Sequence, residues 1–387
     1  MEFIIRNYDG QSDKAQVEEI ERRCEVDPSE SVFLSTDTMG DPICRILNSP
    51  MYNVLVAEMN KDLIGVIQGS IKVVTLATTH DLAKVGYVLG LRVAPNHRRK
   101  RVGSSLLQSL EEWFCSNEVD YSYMATMKDN HASISFFTGK FGYTKFRTPS
   151  ILVNPVNYNP LRISSNIEIV RLKVDQAESL YRKFMGSDDF FPDDIDCILR
   201  NKLSLGTWAA SFKRDSSWDD FGNNGPVPSN WAMLSVWNSA KIFNLRLKEA
   251  TFSCMLCRKS QSLIDKVFPC LKGSALPDFL RPFGFYFVYG LCCDGPLCGK
   301  LVSGLCKFVH NMAAESEDNE NIKVVVSEVG GRDKIKHHHI PHWKLLSCQE
   351  DLWCIKALKN NDEALHKFHE LTNIPPTRAL FVDPREV

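Results

Sequence analysis

Four consecutive cations, Arg98, Arg99, Lys100 and Arg101, lead directly into Val102-Gly103-Ser104 within the stretch LRVAPNHRRKRVGSSLL, residues 91–107. Guanidinium groups pair with two phosphate oxygens at once, and a glycine lets an anion approach the backbone, so these residue types in this order suit a phosphate. The run has two plainer readings, a solvated basic turn and a short nuclear-import signal. Asn130 is a second polar residue of interest, as a helix cap or a ligand contact, and capping alone accounts for it. His337, His338, His339 and His342 invite a metal, but neighbouring side chains on an irregular segment diverge and no Cys-x-x-Cys pair lies beside them. Cys254 to Cys257 has the spacing of half a zinc site without a second half, and CCDGPLC fails in the same way, so no metal is expected.

The elements around the basic run give it a setting. In VGYVLGLRV, Val85, Tyr87, Leu89, Leu91 and Val93 fall on one face at period two, which predicts a strand. From about Gly103 a helix follows, because Val102, Leu106, Leu110 and Trp113 or Phe114 recur at helical spacing. The cations therefore end at a helix N-terminus, whose free amides and dipole favour an anion, and pyrophosphate is the ligand that fits. FIIRNY and residues 13–24 read as strand and helix, YNVLVAEM and LIGVIQGSIK as a hairpin around Asn60-Lys61-Asp62, and YSYMAT as a further strand. Pro149, Pro155 and Pro160 mark residues 148–160 as a connector. Residues 214–230 and 315–321 read as polar loops.

Beyond the connector the order begins again. IEIVRL and DQAESLYRKF are strand and helix, LGTWAAS, WAMLSVW and IFNLRLK are strands, and FGFYFVYGL leads through CCDGP into a helix striped by Leu301, Leu305, Phe308 or Val309, and Met312, before the strand IKVVVSEV. The expected fold is α+β with two lobes, each a mixed, largely antiparallel sheet flanked by helices: residues 1–147, then the connector, then 161–387. Trp208, Trp231 and Trp237 are expected in the core. Across 387 residues, 46 basic and 47 acidic side chains leave a net charge of -1, so no global attraction to nucleic acid or a membrane is expected. The 13 cysteines are scattered, no basic-then-apolar leader opens the chain, and no apolar run approaches the roughly 20 residues of a bilayer span. A soluble protein of a reducing compartment is expected.

The motif V-x-P-x-x-R-x-x-R-V-G-S-S-L-L resembles motif A of the GNAT superfamily of acyl-CoA-dependent N-acetyltransferases. The usual form is Gln or Arg, two residues, Gly, one residue, then Gly or Ala. Arg98 takes the first position and Gly103 the last, while Arg101 stands where the first glycine is usual. NHASISFFTGKFGY is similar to the downstream GNAT segment N-x-x-A/S-x-x-L-Y-x-x-x-G-F, with Asn130 at its head and one extra residue between Phe137 and Gly142. The whole chain also resembles the plant Hookless-type probable N-acetyltransferases, through FFTGKFGYTKFRTPSILVNPV, NKLSLGTW, IPHWKLLSCQEDLWCIK and FVDPRE.

The resemblance implies a GNAT domain over 1–147 that binds acetyl-CoA as co-substrate, a degenerate GNAT-like second lobe, a protein acceptor with histone lysine among those suggested, and a nuclear or nucleocytoplasmic role in plant growth and hormone responses. The implied cofactor residues are Leu91, Arg92, Val93, Arg98, Arg99, Lys100, Arg101, Val102, Gly103, Ser104 and Asn130, with backbone amides of 91–93 meeting the thioester carbonyl. Direct nucleic-acid binding is not expected. No acid or base is assigned: the position that often carries a tyrosine for the leaving thiolate aligns with Phe137, which has no proton to give. Tyr121, Tyr123 and Tyr143 lie nearby in sequence, and Glu58 is a weak candidate base. The second-half loop CCDGPLCGK occupies the cradle's place but carries Asp294 and no arginine fork. The alternative function is a catalytically inactive GNAT-fold scaffold that binds acyl-CoA weakly or not at all. Arg101 either grips the phosphate or obstructs it.

Overall fold

The computed structural model describes residues 2–24, 34–76, 81–156, 159–214, 227–247, 281–316, 321–330, 338–344, 346–348, 351–359, 361–375 and 380–387. In the first half, β1 (Ile4–Asn7), α1 (Lys14–Cys24), β2 (Leu34–Asp37), β3 (Met51–Met59), β4 (Asp62–Thr75) and β5 (Leu82–Val93) precede α2 (Val102–Ser116), β6 (Tyr121–Met127), α3 (His131–Ile134) and β7 (Thr144–Arg147). The hairpin between β3 and β4 turns through Asn60 and Lys61 at φ 54° and 72°, the left-handed pair that a tight two-residue turn requires. After it come β8 (Ser150–Pro155), β9 (Ile167–Leu172), α4 (Val174–Met185), β10 (Phe191–Pro192), α5 (Ile195–Arg200), β11 (Ser204–Phe212), β12 (Trp231–Asn238), β13 (Asn244–Leu247) and β14 (Gly284–Asp294). The chain closes with α6 (Cys298–Ala314), β15 (Ile322–Val329), β16 (Asp351–Ala357) and α7 (Asp362–Asn373).

Two mixed sheets result. The first runs β1-β3-β4-β5-β6-β16-β7 with β10 paired to β4, and the second runs β8-β15-β14-β12-β11-β9. Setting β1, β3, β4, β5, β6 and β16 against β9, β11, β12, β14, β15 and β8 matches the lobes strand for strand, and the parallel pairs β5/β6 and β14/β15 correspond. The sixth strand of each sheet comes from the other half of the chain. This corrects the division at 1–147 and 161–387, since β16 completes the first sheet. It also corrects the connector, because Ser150–Pro155 is a strand that Pro155 tolerates at the sheet's edge. IFNLRLK yields only β13, which joins β2 in a two-stranded ribbon instead of the second sheet.

The sheets face one another across one large core. Tyr87, Tyr123 and Trp353 of the first sheet and Trp237, Phe285 and Tyr289 of the second share it with Leu180 and Tyr181 of α4. On the outer faces, α2 buries Val102, Leu106, Leu110 and Phe114, and α6 buries Leu301, Leu305 and Val309. Each such side chain contributes about 1.5–3 kcal/mol of burial. Trp208, Trp231 and Trp237 lie in the core as expected. The last residues lock the lobes together: buried Lys72 of β4 reaches Glu386 at 2.7 Å, and Arg385 reaches Asp194 at 2.6 Å. Among the described residues no helix is long and apolar enough to cross a membrane.

Candidate active site at a helix N-terminus and a split sheet

The basic run does end at the start of a helix. Arg101 is the N-cap of α2 with φ 68° and ψ -2°, no side chain caps the helix, and no acid lies in its first turn. The backbone at Arg101 thus has the left-handed form that glycine takes freely, at a cost of roughly 1–2 kcal/mol for a residue with Cβ. Arg99 shares that form, at φ 60°. Among the described residues the amides of Val102, Gly103 and Ser104 donate to no group, and the first bond of the helix is Ser105 N–H to the Arg101 carbonyl at 3.0 Å. Arg99, Lys100 and Arg101 are exposed, Val102 is buried in the α2 core, and Gly103 and Ser104 are half-exposed at the helix mouth. Arg98 is tethered, its Nε donating to the Val93 carbonyl at 3.3 Å.

One further cation reaches this point. Lys140 Nζ donates to Ser104 Oγ. Sequence reading passed over Lys140, which lies inside FFTGKFGY; the extra residue in that segment was the available signal. That residue is absorbed as a π-helical turn over Ser135–Lys140, the usual way a helix accommodates an insertion. Cations beside the positive end of a helix repel it unless an anion lies between them.

Strand β5 departs from the expected pattern. Its register against β4 slips between Val66 and Gln68, and Gly90 stands at the slip with φ +62°. The extra residue is a β-bulge, which reverses the facing of everything beyond it. Val85, Tyr87 and Leu89 face the inter-sheet side, whereas Leu91 and Val93 pack against the α2 side. The reading of all five on one face is therefore corrected. Ala94 N–H donates to Ile64 O at 2.9 Å, so by antiparallel alternation the Arg92 backbone pairs with β4, and Leu91 and Val93 turn their amides to the opposite edge.

That edge is open. β5 and β6 pair in parallel from Val85–Tyr121 to Val88–Met124 and then part, although β5 runs on to Val93 and β6 to Met127. A cleft of about 670 Å³ lies at the split. It is lined by Leu89, Gly90 and Arg92 of β5, Gln68 of β4, Glu18, Glu21 and Cys24 of α1, Arg45, Ser35 and Thr36 of the β2 region, and Met127, Asn130 and His131. Arg92 is braced by Glu21 at 2.9 Å. Asn130 caps α3, accepting from Ser133 N–H at 3.2 Å and donating to Thr126 Oγ1 at 3.1 Å. The fold thus brings Arg92 and Asn130 to the cleft and Arg98–Ser104 to the helix mouth, with the amides of Leu91 and Val93 turned to the gap.

The tyrosines do not reach the cleft. Tyr143 is 3% exposed and held by Ser122 at 2.7 Å and Glu111 at 3.0 Å, and burial pushes its phenol well above the ordinary value. Tyr123 is fully buried against Tyr87 and Trp353, with its phenol likewise raised by burial, and Tyr121 stacks on Phe368. Glu58 is bound by Arg6 at 2.6 Å outside the cleft lining. Burial also raises Asp351 to about 7 and Glu328 well above the carboxylate range, but these carboxyls lie between the lobes, away from the cleft. The carboxylates and the imidazole that do line it are Glu18, Glu21, Asp37, Asp129 and His131.

The second lobe has the same plan with its openings filled. A Cβ at Gly299, in the first turn of α6, would overlap the His339 imidazole. Ahead of that helix, Asn230 Oδ1 accepts from Leu297 N–H at 2.9 Å, and Gly295 O accepts from Cys298 N–H at 3.2 Å. His342 bonds the Ile340 carbonyl. Among the described residues no group of three His, Cys, Asp or Glu side chains gathers as for a metal; His337 and Cys254–Cys257 lie outside those residues.

The cationic, uncapped start of α2 lies beside the split between β5 and β6, and solved structures share this fold. Saccharomyces cerevisiae N-myristoyltransferase with bound myristoyl-CoA superposes with a TM-score of 0.55 at 10% identity, over 92% of this chain and 79% of that one. Residues 15–143 match the acetyltransferase (GNAT) family. The chain is 44% identical to the Arabidopsis thaliana "Probable N-acetyltransferase HLS1", over 99% of each chain. It is 43% identical to "Probable N-acetyltransferase HLS1-like" of the same plant, over 99% of this chain and 98% of that one, and 32% identical to the Oryza sativa subsp. japonica "Acetyl transferase GW6a", over 99% and 97%. The chain belongs to the GNAT family of N-acetyltransferases.

Proposed function

We propose that this protein transfers the acetyl group of acetyl-CoA to an amine of a protein acceptor. The observation that carries the reading is the α2 N-terminus: three free amides, no cap, no acid in the first turn, and Arg98, Arg99, Lys100, Arg101 and Lys140 around it. Such a terminus is stabilised by an anion, and pyrophosphate brings two charges to it. With the pyrophosphate at Gly103 and Ser104, the pantetheine arm follows the gap between β5 and β6, and the amide of Leu91 or Val93 receives the thioester oxygen. The oxyanion that develops in the transition state is then met by a preorganised donor.

The acceptor nitrogen attacks the carbonyl carbon, a C–N bond forms, the C–S bond breaks, and the nitrogen's proton passes to solvent or to a carboxylate or imidazole of the cleft. Among the described residues no tyrosine lines the cleft, so in this reading solvent supplies the thiolate's proton. Holding the reactants together supplies the larger share of the acceleration. Histone lysine is the acceptor we test first, and a nuclear role in growth and hormone responses belongs to the same proposal.

The test is calorimetric titration with acetyl-CoA and acetyl incorporation into histone-tail peptides, for wild type and Gly103→Glu. Binding and incorporation by wild type, both lost in the variant, are expected. Equal incorporation by the two proteins removes the helix terminus from the mechanism.

A further inference from the structure

One polar atom in the cleft is unaccounted for. Gln68 on β4 is 3% exposed, yet its side chain contributes to the cleft lining. Its Nε2 donates to the Pro42 carbonyl at 3.1 Å, which fixes which end of the amide is oxygen. The Oε1 has no hydrogen-bond partner among the described residues. An amide oxygen buried without a donor costs free energy that a bound donor recovers. Gly90 lies beneath it: a Cβ there would stand 3.1 Å from Gln68 Nε2, so the bulge glycine leaves the room that the amide occupies.

The second lobe supplies the comparison. Gln68 pairs with Leu89, just before the bulge at Gly90, and Ser235 pairs with Tyr289, just before a bulge at Gly290 with φ +60°. There the polar atom is fully engaged: Ser235 Oγ is bonded to Tyr181 at 2.8 Å and Thr207 at 2.7 Å, and the Tyr181 ring fills the space over Gly290. At the matching point of the first lobe no tyrosine enters. The space is the cleft, and among the described residues no donor reaches Gln68 Oε1.

Gln68 also lies on the face that the acceptor would approach. α2 and its N-terminus pack on one face of the first sheet, against Ile67 and Ile71, while Gln68 points to the α1 face with Val66. A donor molecule anchored at α2 reaches that face only through the gap. We infer that Gln68 Oε1 accepts an N–H hydrogen bond from the acceptor amine, turning the nitrogen lone pair toward the thioester; this rests on the acetyl-transfer reading above. The class of acceptor that satisfies it is a primary amine entering as the neutral base, with one N–H given to Gln68.

The experiment uses butylamine as a minimal acceptor at pH 9, with saturating acetyl-CoA and thiol release as the readout, alongside calorimetry with acetyl-CoA. Gln68→Met keeps length and removes the oxygen, and is expected to lower kcat/KM for the amine about tenfold while acetyl-CoA affinity and Tm stay near wild type. Gln68→Glu restores an acceptor oxygen and is expected to recover most of the activity with a new pH dependence. An unchanged kcat/KM in Gln68→Met overturns the inference, as does a weakened acetyl-CoA affinity with the amine unaffected, which would give the oxygen to an amide of the pantetheine arm. Acetyl-CoA bound by wild type without amine-dependent thiol release overturns it alone. Failure of wild type to bind acetyl-CoA overturns the acetyl-transfer reading as well.

Discussion

The starts of α2 and α6 occupy matching places in matching lobes, and they differ in what covers them. At α2 the first-turn amides are unpaired among the described residues and cations converge on them; at α6 the amides of Leu297 and Cys298 are met by Asn230 and Gly295, and His339 lies against Gly299. The same contrast holds one layer down, where Gln68 faces a cleft and Ser235 faces Tyr181. In the proposed reading one lobe receives a ligand at these two positions, where the other is covered by its own side chains. The second lobe also supplies β15, the partner strand of β8, covers the inter-sheet core and pairs β13 with β2.

Several substitutions break or sharpen that contrast. The largest effect is expected from Gly103→Glu, where a carboxylate at the helix mouth repels pyrophosphate; acetyl-CoA affinity should fall about 100-fold by calorimetry, with little change in Tm. Gly299→Val is the matched change in the other lobe. It should leave acetyl-CoA affinity untouched and cost about 1–3 kcal/mol in denaturant unfolding, because the added methyls meet the His339 ring. An effect of Gly299→Val on binding comparable to that of Gly103→Glu would erase the distinction between the lobes.

Lys140→Ala removes one exposed cation from the α2 terminus and should weaken acetyl-CoA about fivefold at low salt, less as salt rises. The smallest effect belongs to Arg101→Gly. The backbone there already has a glycine's conformation, so the exchange relieves strain and should raise stability by up to about 1 kcal/mol. Acetyl-CoA affinity should change by less than about threefold, since the amides stay where they are. A larger gain would mean that the arginine obstructs the phosphate, and a larger loss that it grips it.

Much of the first lobe was legible locally. Period-two and helical spacing give β5 and α2, and the order of 98–103 puts the cations at a helix start, because each depends on residues within a turn or two of one another. Four features escaped. The Gly90 bulge breaks a pattern that the apolar residues alone continue, so Leu91 and Val93 were set on the wrong face. DLWCIKA gives β16 only because β6 and β7 present free edges from over two hundred residues away, and SILVNP pairs as an edge strand despite its proline. Lys140 reaches Ser104 across a π-helical turn that spacing does not announce.

What the sequence by itself determined is the placement at the helix terminus: cations, a glycine and a helix start are adjacent in the chain, so short-range geometry is enough to bring them together. What only the tertiary structure decided is which polar groups are left over. Gln68 is open and Ser235 is closed because one is faced by a cleft and the other by Tyr181, a residue 54 positions away, and hydrogen-bond satisfaction in a core is set by such distant packing.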